Sequence, residues 1–212
     1  MARRTIGRTF GAILAGAALI AGPAMAQTPQ QATLPAKQAA INDPNDLSDA
    51  QMNELYCIYN AMQAEDATAF AAAILYGEDA KTPKAREVFE KAKTACTTRH
   101  QWTKAQADVA AAIASSGLLT NLAESKLTGK GFDERKFEAV LGVVDRMAPA
   151  DFDEFMHGTD KPGEAMLGRV RKLVVEAGVP EEYDLVELSL TFLRSSLQEY
   201  DAAQQWVDEK LY

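Results

Sequence analysis

The two histidines and two cysteines are the rarest chemistry-bearing side chains in the chain, and where they fall limits the reactions it can support. His157 closes the segment Asp151-Phe152-Asp153-Glu154-Phe155-Met156-His157. On a helix, Asp153 lies four positions before His157 and Glu154 lies three, so two carboxylates and an imidazole share a face. Mixed oxygen and nitrogen donors suit a divalent cation, which makes Asp153, Glu154 and His157 the candidate metal ligands. A Glu-x-x-His pair also occurs in di-iron bundles, but those need it twice with two further glutamates, and no Glu stands three residues before His100. The Gly and closing Glu of an EF-hand loop are missing as well. The competing reading is an acidic helix start that complements the helix dipole, with His near the other end. No further ligands converge on this segment in the sequence, so no cofactor is expected.

Cys57 and Cys96 stand 39 positions apart, too far for a CxxC redox pair and too few for a structural zinc site. In an exported chain, an even count of cysteines reads as a disulfide. That pairing uses up the best nucleophiles. The chain also lacks a G-x-S-x-G elbow, Ser-x-x-Lys, H-E-x-x-H, a P-loop and G-x-G-x-x-G. The reading therefore leans away from an enzyme.

Export is read from the first 26 residues. Arg3, Arg4 and Arg8 precede an uncharged apolar stretch, Phe10 to Gly22, and Ala24-Met25-Ala26 has the small residues of a cleavage site. The stretch is shorter than the ~20 residues that span a bilayer, and no later run is apolar enough to do so. The expected location is the periplasm of a Gram-negative bacterium, or secretion from it. The chain has 22 basic and 30 acidic residues. Cleavage removes three Arg and no acid, leaving 19 against 30 and a net charge of −11. Such a chain repels nucleic-acid phosphates and anionic lipid surfaces. Its expected partners are other periplasmic proteins or envelope components.

The elements that must position these residues are helical. Residues 27–45, rich in Gln, Pro and Ala, are expected to be a disordered tether ahead of an all-α domain at 46–212. Ser48 and Gln51 form a capping box, with Leu47 and Met52 as its hydrophobic staple, and the helix they start is expected to reach about Gln63. Further starts fall at Asp66, at Thr82-Pro83 and at Asp133, where Phe132 and Phe137 are the staple pair. Ser115-Ser116-Gly117 is expected to end one helix, with a short helix following over 118–127. Thr128-Gly129-Lys130-Gly131 is a turn and a candidate boundary between two sub-bundles. The spacing predicts about seven or eight helices, ending in a long one over residues 181–211. Along it Val186, Leu190, Leu193, Leu197, Tyr200, Gln204, Val207 and Leu211 recur at spacings of four and three. This seam reads either as core or as a partner-binding surface. Leu185, Leu188, Phe192 and Trp206 widen the apolar face and favour the core.

Leu47-Ser48-Asp49-Ala50-Gln51 and Trp102-Thr103-Lys104-Ala105-Gln106 resemble the Leu-Thr-x-x-Gln motif of the Spy and CpxP family of small, all-helical periplasmic chaperones and stress-response regulators. The resemblance is confined to these two stretches, and Trp102 stands where the motif has Leu. It implies client binding. The sequence thus points to an exported, non-enzymatic helical module that binds proteins or envelope components. The alternative is a protein that binds a small ligand or metal in a pocket between helices.

Overall fold

The structure, a computed structural model, describes residues 43–77, 82–157 and 163–209, all within one compact unit, Ala40–Tyr212. The expected signal segment and the tether as far as residue 42 lie outside the described residues, as does Leu211.

Every regular element is helical. After a 3-10 turn at Pro44–Asp46 come α1 (Asp49–Leu55), α2 (Cys57–Ala61), α3 (Ala64–Tyr76), α4 (Thr82–His100), α5 (Lys104–Thr128), α6 (Glu134–Leu141), α7 (Pro149–His157), α8 (Glu164–Glu176) and α9 (Tyr183–Asp208). A second 3-10 turn, Val144–Arg146, separates α6 from α7. No strand occurs among the described residues, so the chain is an all-α bundle with a long C-terminal helix.

The helix starts follow local chemistry. Ser48 Oγ accepts from the Gln51 backbone N–H, and Gln51 Oε1 accepts from the Ser48 N–H at 3.0 Å. Thr103 and Gln106 close the same reciprocal pair at the start of α5, where Gln106 Oε1 accepts from the Thr103 N–H at 2.8 Å. The spacing shared by the two motif-like stretches is thus the spacing of a capping box. Asp133 Oδ1 accepts from the Lys136 N–H at 3.0 Å, and the Phe132 and Phe137 rings meet 5.7 Å apart. At the other end of α5, Gly131 takes a positive φ of 84°. This lets Phe132 N–H reach back to Leu127 O at 3.1 Å, a stop that a residue with a Cβ makes only under strain.

The long antiparallel pair α5 and α9 forms the spine. Near one end, Val109, Ile113 and Leu118 of α5 and Trp206 and Val207 of α9 enclose a core with Leu55, Ile58, Phe89 and Trp102. Near the other, Ala123 and Leu127 of α5 and Leu185 to Leu193 of α9 pack with Phe132, Val140, Phe155, Met166, Val170 and Val174. Both clusters draw on both helices. The disulfide joins Cys57 on α2 to Cys96 on α4, with Cα atoms 5.9 Å apart, and both cysteines are buried in the first cluster. Under the chain-entropy account, a bond closing a loop of this length stabilises the fold by about 3–4 kcal/mol.

Two local expectations are overturned. The helix expected from Ser48 to Gln63 breaks at Tyr56 (φ −91°, ψ 14°) into α1 and α2. No helix ends at Ser115-Ser116-Gly117, because α5 runs through it to Thr128. Ser115 and Thr120 direct their hydroxyls to carbonyls of their own helix, Ala112 O at 3.0 Å and Ser116 O at 2.9 Å, so they do not break it. Gly117 serves close packing instead. A Cβ there would lie 3.2 Å from Glu199 Oε1 and 3.4 Å from the Tyr59 ring.

Candidate functional site

The acidic segment becomes α7, and its side chains go separate ways. Asp153 and His157 are exposed. Glu154 turns its Oε1 to the Gly163 N–H at 2.8 Å. Asp151 accepts two bonds from Arg169, at 2.8 and 2.5 Å, and the guanidinium holds its carboxyl below the usual carboxylate range. Among the described residues, no group of three or more His, Cys, Asp or Glu is placed to hold a metal ion. His100 stacks on Trp102, centroids 5.3 Å apart, and Trp102 Nε1 donates to Glu54 at 2.9 Å.

The seam of α9 faces the chain's own core. Val186, Leu190, Leu193 and Val207 are buried in the two clusters, and Leu185, Phe192 and Trp206 with them. Leu197, Tyr200 and Gln204 are half-buried.

Sequence reading passed over Glu199. It occupies a second stripe of α9, Phe192, Ser195, Glu199, Ala202 and Trp206, at alternating spacings of three and four. The other four residues are buried. A carboxylate seven positions from Phe192 on one side and Trp206 on the other was the available signal, because that spacing returns to the same helix face. Small residues make room for it: Gly117 opposite on α5, Ser195 one turn before and Ala202 one turn after.

Where the two clusters meet along the spine, the interface is therefore polar. Thr120 Oγ1 on α5 lies 2.9 Å from Ser195 Oγ on α9. One turn further along α9, Tyr56 donates its hydroxyl to Glu199 Oε1 at 3.1 Å. Burial pushes the Glu199 carboxyl up to about 7, with the Tyr56 hydrogen bond pulling the other way. Burial also raises Tyr56 well above the usual phenol range, and Glu199 adds to the rise. Tyr59 meets Tyr56 edge to face, centroids 6.1 Å apart. Its pKa is raised by burial and then by Glu199. Asn121 Nδ2 donates to the Tyr59 hydroxyl.

Tyr59 and Asn121 also stand on the wall of a half-open groove of about 340 Å³ between α2–α3 and α5. Met62, Leu118 and Leu122 supply its apolar surface, and Thr68 and Ser125 lie at its polar margin. Further along α3, Ile74 and Tyr76 are exposed to 50% and 61%, and Lys126 Nζ sits 5.2 Å from the Tyr76 ring centre. A second hollow of about 410 Å³ lies between α8 and α9. Its Arg171 is engaged by Glu187 at 2.8 Å and Glu164 at 3.3 Å, so it offers less unsatisfied chemistry.

Fold and site together define an all-α protein with a groove beside a half-buried acid–tyrosine corner. No protein-family model matches the chain, and neither a curated protein nor a solved structure does.

Proposed function

We propose that this is an exported, non-catalytic binding protein of the Gram-negative periplasm, and that its cargo occupies the groove between α2–α3 and α5. The observation that carries this reading is the groove itself: an apolar surface of half-buried Met62 and Leu122, floored by buried Leu118, beside polar groups of Tyr59 and Asn121. Most apolar surface in a folded chain is covered, and a concave stretch with a few placed polar groups is the usual form of a binding site. Periplasmic residence is supported by the leader-like first 26 residues and by a buried disulfide, which suits an oxidising compartment. Among the described residues, no helix is long and apolar enough to cross a membrane.

Two kinds of cargo remain, a segment of another protein or a small envelope component. A groove of about 340 Å³ is at the lower end of small-molecule sites, which favours the small component. The test is a thermal-shift screen of the oxidised protein against envelope-derived small molecules, alongside suppression of aggregation of an unfolded client. A ligand at about 100 times its Kd adds about 2.7 kcal/mol, on the order of 5–10 °C for a domain of this size. Leu122→Trp, which fills the groove, is expected to abolish that shift. A flat screen together with no protection of the client overturns the reading.

A further inference from the structure

The chemistry around the groove identifies what kind of cargo it takes, an inference that rests on the groove being the binding site. Glu199 is largely buried, and no Lys, Arg or His among the described residues pairs with it. A carboxylate withdrawn from water without a counter-charge is costly. The described groups placed against it are neutral or acidic. Tyr56 at the α1–α2 junction and Tyr59 on α2 lie on one side. From α5 come Gly117, Thr120 and Asn121, while Glu124 bears on Tyr59. On α9 itself, Ser195 lies one turn before it.

Tyr59 belongs to both places. Its ring and Glu199 Oε1 approach the same point beside Gly117, at 3.4 and 3.2 Å, and the ring also lines the groove. Asn121 directs one amide N–H to the Tyr59 hydroxyl, and its carbonyl oxygen is a separate acceptor. Among the described residues, no Lys, Arg or His lines the groove. An aromatic ring backed by two carboxylates and next to an apolar trough is complementary to a cation that carries a hydrocarbon tail.

We propose that the Tyr59 end of the groove binds the ammonium group of a small amphiphilic amine, with Met62, Leu118 and Leu122 holding its apolar tail. The ammonium rests against the Tyr59 ring and donates to the Asn121 carbonyl oxygen, and Glu199 supplies the opposite charge. Binding is then coupled to a proton. Free Glu199 titrates near neutrality because burial pushes it up to about 7, and a bound cation favours the ionised form. Binding the amine therefore releases a proton from Glu199, and affinity rises as pH passes through 7.

An NMR titration of the oxidised protein with hexylammonium tests this, with 1-hexanol and hexanoate as neutral and anionic probes of the same length. Hexylammonium is expected to bind at least tenfold tighter than 1-hexanol at pH 8. Its affinity should fall about tenfold at pH 6, as one linked proton with a pKa near 7 requires. Glu199→Gln should remove that pH dependence and weaken hexylammonium about tenfold at pH 8, with 1-hexanol unchanged. Tyr59→Leu keeps the wall apolar and should abolish the preference for the cation. If Glu199→Gln does not fold, the pH series on the unaltered protein and Tyr59→Leu decide. Equal binding of hexylammonium and 1-hexanol, or a preference indifferent to both pH and Glu199→Gln, overturns the ammonium proposal and leaves the groove standing. Binding of none of the three probes overturns both.

Discussion

Glu199 sets a carboxylate on a stripe of α9 whose other members, Phe192, Ser195, Ala202 and Trp206, are buried. Its carboxyl titrates near 7, above the ordinary 4.5, because burial disfavours the charged form. The folded protein therefore holds this proton more tightly than the unfolded chain does. The stability tied to the protonated form is complete below about 4.5 and is lost as pH rises from there through 7. Glu199→Gln keeps the shape and removes the titration. It should leave urea stability almost unchanged at pH 4 and raise it by about 2–3 kcal/mol at pH 8. A variant equally stable, or less stable, at pH 8 would mean that the ionised carboxylate is better accommodated than its burial implies. Asp153, Glu154 and His157 show the reverse: residue types suited to chemistry, in a helical register that suits it, yet Asp153 and His157 face solvent while Glu154 turns to the Gly163 N–H.

Among the elements, α5 shows how a local signal is overruled. Ser115-Ser116-Gly117 has the composition of a helix end, and the expected boundary followed from it. In the fold that turn lies against Glu199 and Tyr59, and the absence of a side chain at Gly117 lets α9 approach. Packing along both flanks outweighs a propensity penalty of about 1 kcal/mol for glycine. Gly117→Val should therefore destabilise the protein by about 1–3 kcal/mol through overpacking, although it replaces the poorer helix former. Chemical denaturation measures this, and a gain in stability would show that the α5–α9 contact yields easily at that point. The starts of α1 and α6 were legible because a capping box or an Asp cap is a contact between residues three apart in the chain. The break at Tyr56 was not: no side-chain cap marks it, and the residue's hydroxyl engages a partner 143 positions away.

For the molecule as a whole, two apolar clusters share one pair of helices. Ile113 is fully buried in the first and Val170 in the second, yet α5 and α9 run through both. Losing either cluster strips part of the buried face from both spine helices, so the two should unfold together. Ile113→Ala and Val170→Ala are each expected to cost about 2–4 kcal/mol and to shift one common transition, followed by circular dichroism and by tryptophan fluorescence. The tryptophans, Trp102 and Trp206, both lie in the first cluster, so a fluorescence transition separate from the circular-dichroism transition would reveal independent unfolding. The turn at 128–131 looked like a boundary in the sequence, and it does end α5, but the clusters meet further back, at the polar contacts of Thr120 with Ser195 and Tyr56 with Glu199. By itself the sequence determined the all-α class, the capped helix starts, the long last helix and the Cys57–Cys96 bond. Each of these depends on periodicity, on residues three or four apart, or on the pairing of just two cysteines. Tertiary structure alone decided that α9 lays one stripe into both cores, that α5 continues past Gly117, and that Tyr56, Tyr59, Asn121 and Glu199 meet beside a groove. These depend on which helix faces come together across long stretches of chain, and no local spacing encodes that choice.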